Sequence, residues 1–262
     1  MVKSMKRIIL MTLLCLAAYA ALGKSYQTVR TYPCPEASQG VATDDIFFYG
    51  IGNQTIAKYN KATGQRVAVW KEKNKELIRH FDGGIIVDGL LYCSHSNFPE
   101  VPMASSIEIF DPGTLQHVKT ISLGIDVGSC TWVVRGEGCW YLGFTHYDKG
   151  GGEPGKDNSW TQVVQFSDNW QRQQAWILPK ELLQALKPSG ISGCLFIDGK
   201  FYCTGHDPQK IFILEFPPYG MRLCLTGTID MPMHGQGISI DSEGFLWGID
   251  RATKSVIKTE LK

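Results

Sequence analysis

Three short segments of the sequence resemble one another, and each ends at a histidine. They are LYCSH at residues 91–95, YLGFTH at 141–146 and FYCTGH at 201–206. Neutral imidazole is a common metal ligand, and three histidines with one open position are the usual catalytic arrangement for zinc. We therefore predict that His95, His146 and His206 converge to bind a divalent metal, zinc or another transition metal, or else an anionic substrate.

Two further histidines precede the first strands of repeated units that are described below. His80 and His234 are predicted to act as general acid or base beside the three-histidine site. Polar side chains at matching positions of the units are predicted to bind substrate or to orient the imidazole rings. These are Gln39, Asp82, Thr131, Asp207, Gln236, Asp250 and Arg251. The alternative is that the histidines only cap loops through hydrogen bonds to the backbone.

The strands that would position these side chains form a unit that occurs five times. Each unit has a glycine-containing inner strand, a tight turn, an aromatic-rich second strand and, after a variable loop, two more strands. Asp88-Gly89 and Asp198-Gly199 are such turns, and glycine supplies the positive φ that they require. Four short strands per unit at fairly even spacing are typical of β-propeller blades. The sequence predicts an all-β protein, a single five-bladed β-propeller.

The fifth unit lacks a fourth strand, because the chain ends at Lys262. Residues 26–32, YQTVRTY, alternate as a strand does and precede the first blade, so we predict that this N-terminal strand completes the last blade. A six-bladed propeller is the alternative, and it would require a further blade within the long third unit. A β-sandwich would have no reason to repeat the unit so regularly.

The first 23 residues have the features of a secretory signal peptide. Lys3, Lys6 and Arg7 precede a short apolar run, and small residues follow it. We therefore predict a propeller domain at residues 24–262 in a secreted or periplasmic protein without a membrane span. Seven cysteines remain after residue 23, and Cys194 and Cys203 flank a two-residue turn symmetrically, so they would lie opposite each other as a disulfide or as two buried thiols.

The net charge of +1 and the lack of basic runs interleaved with aromatics argue against a nucleic-acid partner. A small-molecule substrate is the predicted partner. The predicted function is a metal-assisted lyase, isomerase or hydrolase step. The alternative is a propeller that binds a ligand or a protein without catalysis, because a fold alone does not fix function.

Residues 80–251 resemble a group of exported bacterial propeller proteins that are often labelled cycloisomerase. The resembling segments are DGLLYCSHSNFP at 88–99, SSIEIFD at 105–111, GSCTW at 128–132, YCTGHD at 202–207 and GQGI at 235–238. More distantly, VRTYP at 29–33, QGV at 39–41 and GIGN at 50–53 are similar to the opening of plant-type glutaminyl cyclases, which are also five-bladed. Where that family carries a glutamate beside the glycine pair, this chain has Tyr49-Gly50. The resemblances imply an exported protein with a propeller fold.

Overall fold

The computed structural model describes residues 24–125, 127–148 and 150–262. The predicted signal peptide at residues 1–23 lies outside the described residues. The described chain is almost entirely β-structure, with one short helix, α1 (Lys180–Leu186), and one turn of 3-10 helix at Asn158–Trp160. The strands in chain order are β1 (Tyr26–Pro33), β2 (Gly40–Thr43), β3 (Phe47–Gly52), β4 (Thr55–Asn60), β5 (Arg66–Lys71), β6 (His80–Val87), β7 (Leu90–Ser96), β8 (Ser105–Phe110), β9 (His117–Gly124), β10 (Ser129–Gly136), β11 (Cys139–Thr145), β12 (Gln162–Ser167), β13 (Arg172–Ile177), β14 (Gly193–Ile197), β15 (Lys200–Thr204), β16 (Lys210–Glu215), β17 (Cys224–Asp230), β18 (Ser239–Ile240), β19 (Leu246–Asp250) and β20 (Ser255–Leu261).

Within the described ranges these strands form five antiparallel sheets of four strands each. Blades one to four are the consecutive sets β2–β5, β6–β9, β10–β13 and β14–β17, and the fifth blade is β18, β19, β20 and β1. The inner strands contact one another in the order β2, β6, β10, β14, β18 and back to β2. The chain is therefore a five-bladed β-propeller, as the repeats predict, and the six-bladed alternative does not apply.

The N-terminal strand closes the ring, as predicted. β1 pairs antiparallel with β20, from Tyr26 opposite Leu261 to Pro33 opposite Ser255. This pairing joins the two ends of the described chain in one sheet and covers the edge that β20 would otherwise expose.

The tight turns between first and second strands have the backbone that their residues favour. Asp88 and Gly89 have φ of 49° and 75°, and Asp198 and Gly199 have φ of 50° and 76°. Two successive residues with positive φ are the signature of the hairpin turn whose twist matches that of its strands. The second turn fixes the register that sets Cys194 opposite Cys203, with Sγ atoms 3.5 Å apart as free thiols.

Glycine in the inner strands is required by crowding at the propeller axis. A Cβ atom on Gly40 would lie 2.8 Å from the carbonyl oxygen of Asp82 and 3.0 Å from Cα of Gly237. A Cβ atom on Gly237 would lie 3.1 Å from Cα of Gly83. Backbone atoms of blades one, two and five thus meet directly near the axis, which explains why the units begin with glycine-containing strands.

The hydrophobic core lies between neighbouring blades. Aromatic side chains from adjacent sheets fill these spaces, as where Phe48 of blade one contacts Trp247 of blade five with ring centroids 5.5 Å apart. Helix α1 buries Leu182, Leu183 and Leu186 in the cluster that also contains Trp132 and Phe201. In the described part of the chain no helix has the length and apolarity needed to cross a membrane.

Candidate functional site

A polar cavity of about 230 Å³ opens on the face where the second strands end and the inner strands begin. Residues from blades one to five line it, so it lies around the propeller axis, and we call it the axial cavity. Its lining residues are Gln39, His80, Asp82, Phe98, Tyr147, Gly150, Ser189, Ser192, His206 and Gln236.

Asp82 reaches this cavity because β6 is irregular at that point. The register between β6 and β7 shifts between Phe81 and Gly84, so Asp82 and Gly83 oppose the single residue Ser94. The Ser94 hydroxyl replaces the missing ladder bonds, since its Oγ accepts from the Gly83 N–H at 3.0 Å and donates to the Gly83 carbonyl at 3.2 Å. The bulge redirects the Asp82 side chain, while the backbone N–H and carbonyl of Gly83 keep a hydrogen-bond partner.

The Asp82 carboxylate is half satisfied. Its residue is 5% exposed, and its Oδ1 lies 3.5 Å from Nε2 of His80. Its Oδ2 is buried and has no hydrogen-bond partner among the described residues. An unpaired buried oxygen of this kind costs free energy, so it marks a position where a bound molecule could donate a hydrogen bond.

The two members of this pair shift each other's ionisation. Burial raises the pKa of Asp82, and the neighbouring His80 opposes that rise. Burial by itself would lower the pKa of His80, but the attraction and hydrogen bonding of Asp82 outweigh it and the pKa is raised. The pair therefore keeps a proton to higher pH than either free side chain would.

Two aromatic rings form one wall of the axial cavity. Phe98 contacts the His80 ring at 5.1 Å and the Tyr147 ring at 4.9 Å between centroids. Burial, together with the charge of Asp82, raises the pKa of the Tyr147 hydroxyl, so this group stays protonated and can donate a hydrogen bond. The wall covers the His80–Asp82 pair and lowers its contact with water.

His206 lies at the rim of the axial cavity in a network with Arg251 and Asp207. Arg251 Nη1 donates to His206 Nε2 at 2.9 Å, and His206 Nδ1 donates to Asp207 Oδ1 at 2.7 Å. His234 is exposed beside this network, and its Nδ1 donates to the carbonyl oxygen of Asp207 at 2.9 Å. The predicted residues His206, His234, Asp207 and Arg251 are thus brought together, but as a rim cluster.

A second cavity of about 250 Å³ adjoins the axial cavity and shares His80 and Phe98 with it. Lys75 and Arg79 line this second cavity. Arg79 also contacts Glu100, with 3.0 Å between Nη1 and Oε1. Two positive side chains therefore line the cavity that adjoins His80.

The predicted metal ligands do not converge. His95 is an internal residue of β7, and because side chains alternate between the faces of a strand it projects into the space between blades one and two. His146 is 1% exposed, and its Nε2 donates to the Val127 carbonyl at 2.8 Å. His206 alone of the three lines the axial cavity. The described residues contain no group of three or more His, Cys, Asp or Glu side chains that could hold a metal ion, so the predicted three-histidine site is not assembled.

The remaining predicted substrate-binding residues divide into two groups. Gln39 and Gln236, which hold matching positions before the inner strands, line the axial cavity. Thr131 is buried and donates to the Ile191 carbonyl at 2.6 Å, and Asp250 accepts from the backbone N–H of Ala252 at 2.9 Å. Thr131 and Asp250 therefore stabilise connections between strands and are not among the residues that line the cavity.

Sequence reasoning missed Tyr147, Phe98, Ser189 and Ser192. Tyr147 directly follows a histidine that ends a second strand, so its position was a usable signal. Phe98 lies in a long loop of blade two and contacts the loop of blade three, where a Cβ on Gly151 would meet the Phe98 ring. Such contacts between loops of different blades have no local sequence pattern.

Comparison with known proteins identifies no family. No family model matches the sequence, and no curated protein matches it. Solved structures of propellers do match. The WD40 repeats of RRP9 are 11% identical, with 85% of this chain and 79% of that chain covered at a TM-score of 0.49. A gluconolactonase from Xanthomonas campestris is 13% identical, with 82% and 69% covered at 0.49. BamB from Moraxella catarrhalis is 14% identical, with 84% and 57% covered at 0.36. These comparisons give no support to the cycloisomerase or glutaminyl cyclase resemblance, and they agree with the propeller architecture that the chain's own strand topology establishes.

Proposed function

We propose that the axial cavity binds a small polar molecule and that the His80–Asp82 pair moves a proton on it. The observation that carries this proposal is the buried Oδ2 of Asp82, which has no hydrogen-bond partner in the described ranges and belongs to a residue that lines the cavity. Leaving such an oxygen unpaired costs on the order of 1–3 kcal/mol, a cost that a bound substrate's donor group would offset.

The chemistry that this pair suits is proton transfer within one substrate, as in an isomerisation or an elimination. Asp82 Oδ2 takes a proton from a carbon of the substrate, and the His80 imidazolium returns one at a second atom. The charge of the enzyme pair and substrate together is conserved. The 3.5 Å separation of Asp82 Oδ1 and His80 Nε2 then allows the proton to pass back from the carboxyl group to the imidazole.

The substrate is proposed to carry an anionic group. Lys75 and Arg79 line the cavity that adjoins His80, and His206 with Arg251 forms the rim of the axial cavity. A carboxylate on the substrate would meet these donors while its reacting atom faces Asp82. The axial cavity of about 230 Å³ suits a molecule smaller than a typical drug-sized ligand.

Deuterium exchange tests the proposal whatever the net reaction is. Small hydroxy and keto carboxylic acids and their lactones are incubated with the protein in D₂O, and loss of carbon-bound protons is followed by NMR. At least one compound should exchange, and Asp82→Asn and His80→Gln should each slow that exchange by about 100-fold or more. Asp168→Asn is the matched control, because this carboxylate pairs with the partly exposed Arg135 away from the cavity.

The rate of exchange should depend on pH in a bell-shaped manner. The active form has ionised Asp82 and protonated His80, so the acid limb lies above the usual pKa of aspartate and the basic limb above that of histidine. Exchange that persists in Asp82→Asn would overturn the assignment of the base. If no compound of the panel exchanges a proton but one of them binds in the axial cavity, the alternative of a non-catalytic binding propeller is favoured.

A further inference from the structure

A large cavity outside the axial site lies between blades one and two. It has a volume of about 470 Å³. Trp70, Glu72, Leu77 and Ile78 form its blade-one side, while strands β8 and β9 supply most of the opposite side. It is roughly twice the volume of the axial cavity and shares no lining residue with it. We call it the interblade cavity.

A buried carboxylate stands at the centre of the β8–β9 wall. Glu108 is 3% exposed. Its Oε1 accepts from the Ser106 hydroxyl at 2.5 Å, and its Oε2 accepts from Thr120 Oγ1 at 2.6 Å and from His117 Nε2 at 2.7 Å. A carboxylate offers about four acceptor positions, so three donors leave one position on Oε1 open. His95 Nδ1 is 3.9 Å from Oε1, too far to occupy it.

The protonation state of His95 follows from its own hydrogen bonds. The backbone N–H of Arg79 donates to His95 Nε2 at 3.0 Å, so this nitrogen carries no proton. The proton is therefore on Nδ1, which donates to Ser106 Oγ at 2.8 Å. Burial, only partly opposed by Glu108, lowers the pKa of His95 to about 4. The ring is thus neutral at pH 7 and does not offset the charge of Glu108.

The interblade cavity has one carboxylate on each side, and its apolar side chains are mainly on the blade-one side. Glu72 and Glu108 are its two carboxylates, and among the described residues that line it there is no lysine or arginine. Trp70 and Ile78 are apolar side chains of the opposite wall, and Leu77 is 65% exposed at its edge. An aromatic ring beside a buried carboxylate that has one open acceptor position is a combination that attracts organic cations.

We propose that the interblade cavity binds a small organic cation, a primary ammonium group attached to an apolar or aromatic body. The ammonium group donates to the open position on Glu108 Oε1, and the apolar body packs against Trp70 and Ile78. This site is independent of the chemistry proposed for the axial cavity, because the two share no residue.

A charge series of three isosteric probes tests the proposal. Benzylammonium, benzyl alcohol and benzoate have nearly the same shape and differ in charge. Binding to the full protein is measured at pH 7 by calorimetry, and the location by NMR shifts of residues that line the cavity. Benzylammonium should bind at least about tenfold more tightly than benzyl alcohol, and benzoate should bind most weakly. Equal binding of the three probes, or shifts confined to other surfaces, would overturn the proposal.

Two variants extend this test. Glu108→Gln should reduce benzylammonium binding to the level of benzyl alcohol. Because this change also disturbs three hydrogen bonds, Glu72→Gln at the edge of the cavity is used as well and should weaken benzylammonium binding several-fold without changing benzyl alcohol binding. Glu137→Gln, in a turn of blade three, is the control and should bind like the wild type. If Glu72→Gln and Glu108→Gln both keep the wild-type preference for benzylammonium over benzyl alcohol, the proposed cation site is contradicted. If Glu108→Gln does not fold, the result for Glu72→Gln decides.

Discussion

At the scale of single residues, the histidines of this protein divide by their hydrogen-bond partners. His146 and His234 donate to backbone carbonyls, as the loop-capping alternative expected. His80 contacts the buried carboxylate of Asp82, one oxygen of which has no hydrogen-bond partner among the described residues. Both ring nitrogens of His95 have a partner, since Nε2 accepts from the Arg79 N–H and Nδ1 donates to Ser106 Oγ. Burial lowers the pKa of His95 and of His146, whereas the pKa of His80 is raised because Asp82 outweighs burial there.

The pKa of His80 should depend on the charge of Asp82. In the wild type the attraction to Asp82 outweighs burial and raises this pKa. In Asp82→Asn the attraction is lost while the burial remains, so the pKa should fall below the usual value of histidine, about 6.5. NMR titration of the ring protons measures the change, with His80 in Asp168→Asn as the reference. An unchanged His80 pKa in Asp82→Asn would show that the two side chains are not coupled.

His95 should make the protein less stable in mild acid. In the unfolded chain the His95 imidazole has a pKa near 6.5, whereas in the folded protein its pKa is about 4. The contribution of neutral His95 to the free energy of unfolding is therefore complete above pH 6.5. It is lost as the pH falls from about 6.5 to about 4, by roughly 3 kcal/mol in total. Denaturant unfolding of wild type and His95→Asn at pH 7, 5.5 and 4 measures it. The variant should lose less stability than the wild type, and parallel pH curves would contradict the prediction.

At the scale of the strands, two departures from regular pairing shape the axial site. The bulge in β6 directs Asp82 towards the cavity, and the glycine-containing inner strands allow backbone atoms of several blades to meet beside it. The bulge determines where the Asp82 carboxylate lies, and the glycines determine how closely the blades approach one another. Both cost local stability, since a bulge interrupts a ladder and glycine has the largest chain entropy to lose.

Crowding at the axis predicts that Gly40→Ala destabilises the fold. The added Cβ would lie 2.8 Å from the Asp82 carbonyl oxygen and 3.0 Å from Gly237 Cα, both of which are backbone atoms that cannot rotate away. We expect the free energy of unfolding to fall by about 1–3 kcal/mol.

Gly227→Ala in the outer strand β17 is the control for Gly40→Ala. Its Cβ would make an ordinary contact of 3.5 Å with Ile213 Cδ1, and the stability should change by no more than about 0.5 kcal/mol. Chemical denaturation of both variants decides the matter. Equal effects of the two substitutions would mean that the axis is not sterically limited.

At the scale of the whole molecule, the ring is held closed by one strand that touches two blades. β1 completes blade five by pairing with β20, and its Tyr32 reaches blade one. The Tyr32 ring stacks on Trp247 of blade five at 5.4 Å and contacts Phe48 of blade one at 5.0 Å. Its hydroxyl donates to the carbonyl oxygen of Lys61 at 2.9 Å.

Removing the Tyr32 ring should therefore weaken closure of the propeller. Tyr32→Ala should lower the free energy of unfolding by about 3–5 kcal/mol, because the ring is 3% exposed and fills the junction of the first and last blades. Tyr32→Phe removes only the hydrogen bond and should cost about 0.5–1.5 kcal/mol. Denaturant unfolding gives both values. Similar costs for the two variants would show that the hydroxyl, and not the ring, closes the molecule.

The sequence alone determined the fold, since its signals are local and repeated. The Asp88-Gly89 and Asp198-Gly199 turns, the glycine-containing inner strands and the alternation of residues 26–32 each predict a feature that the structure confirms. Five copies of one pattern also fix the number of blades. The sequence placed His80, Asp82, Gln39, Gln236 and His206 near a common face for the same reason, and the axial cavity brings these five residues together.

Only the tertiary structure decided which side chains meet. His95 and His80 stand at the same end of one hairpin, yet a regular strand turns His95 into the space between blades, whereas His80 lines the axial cavity. The bulge at Asp82 brings that carboxylate into the axial cavity, and a bulge of one residue produces no periodic pattern in the sequence. Side-chain direction depends on pairing register and on contacts between distant loops, and these are properties of the assembled ring.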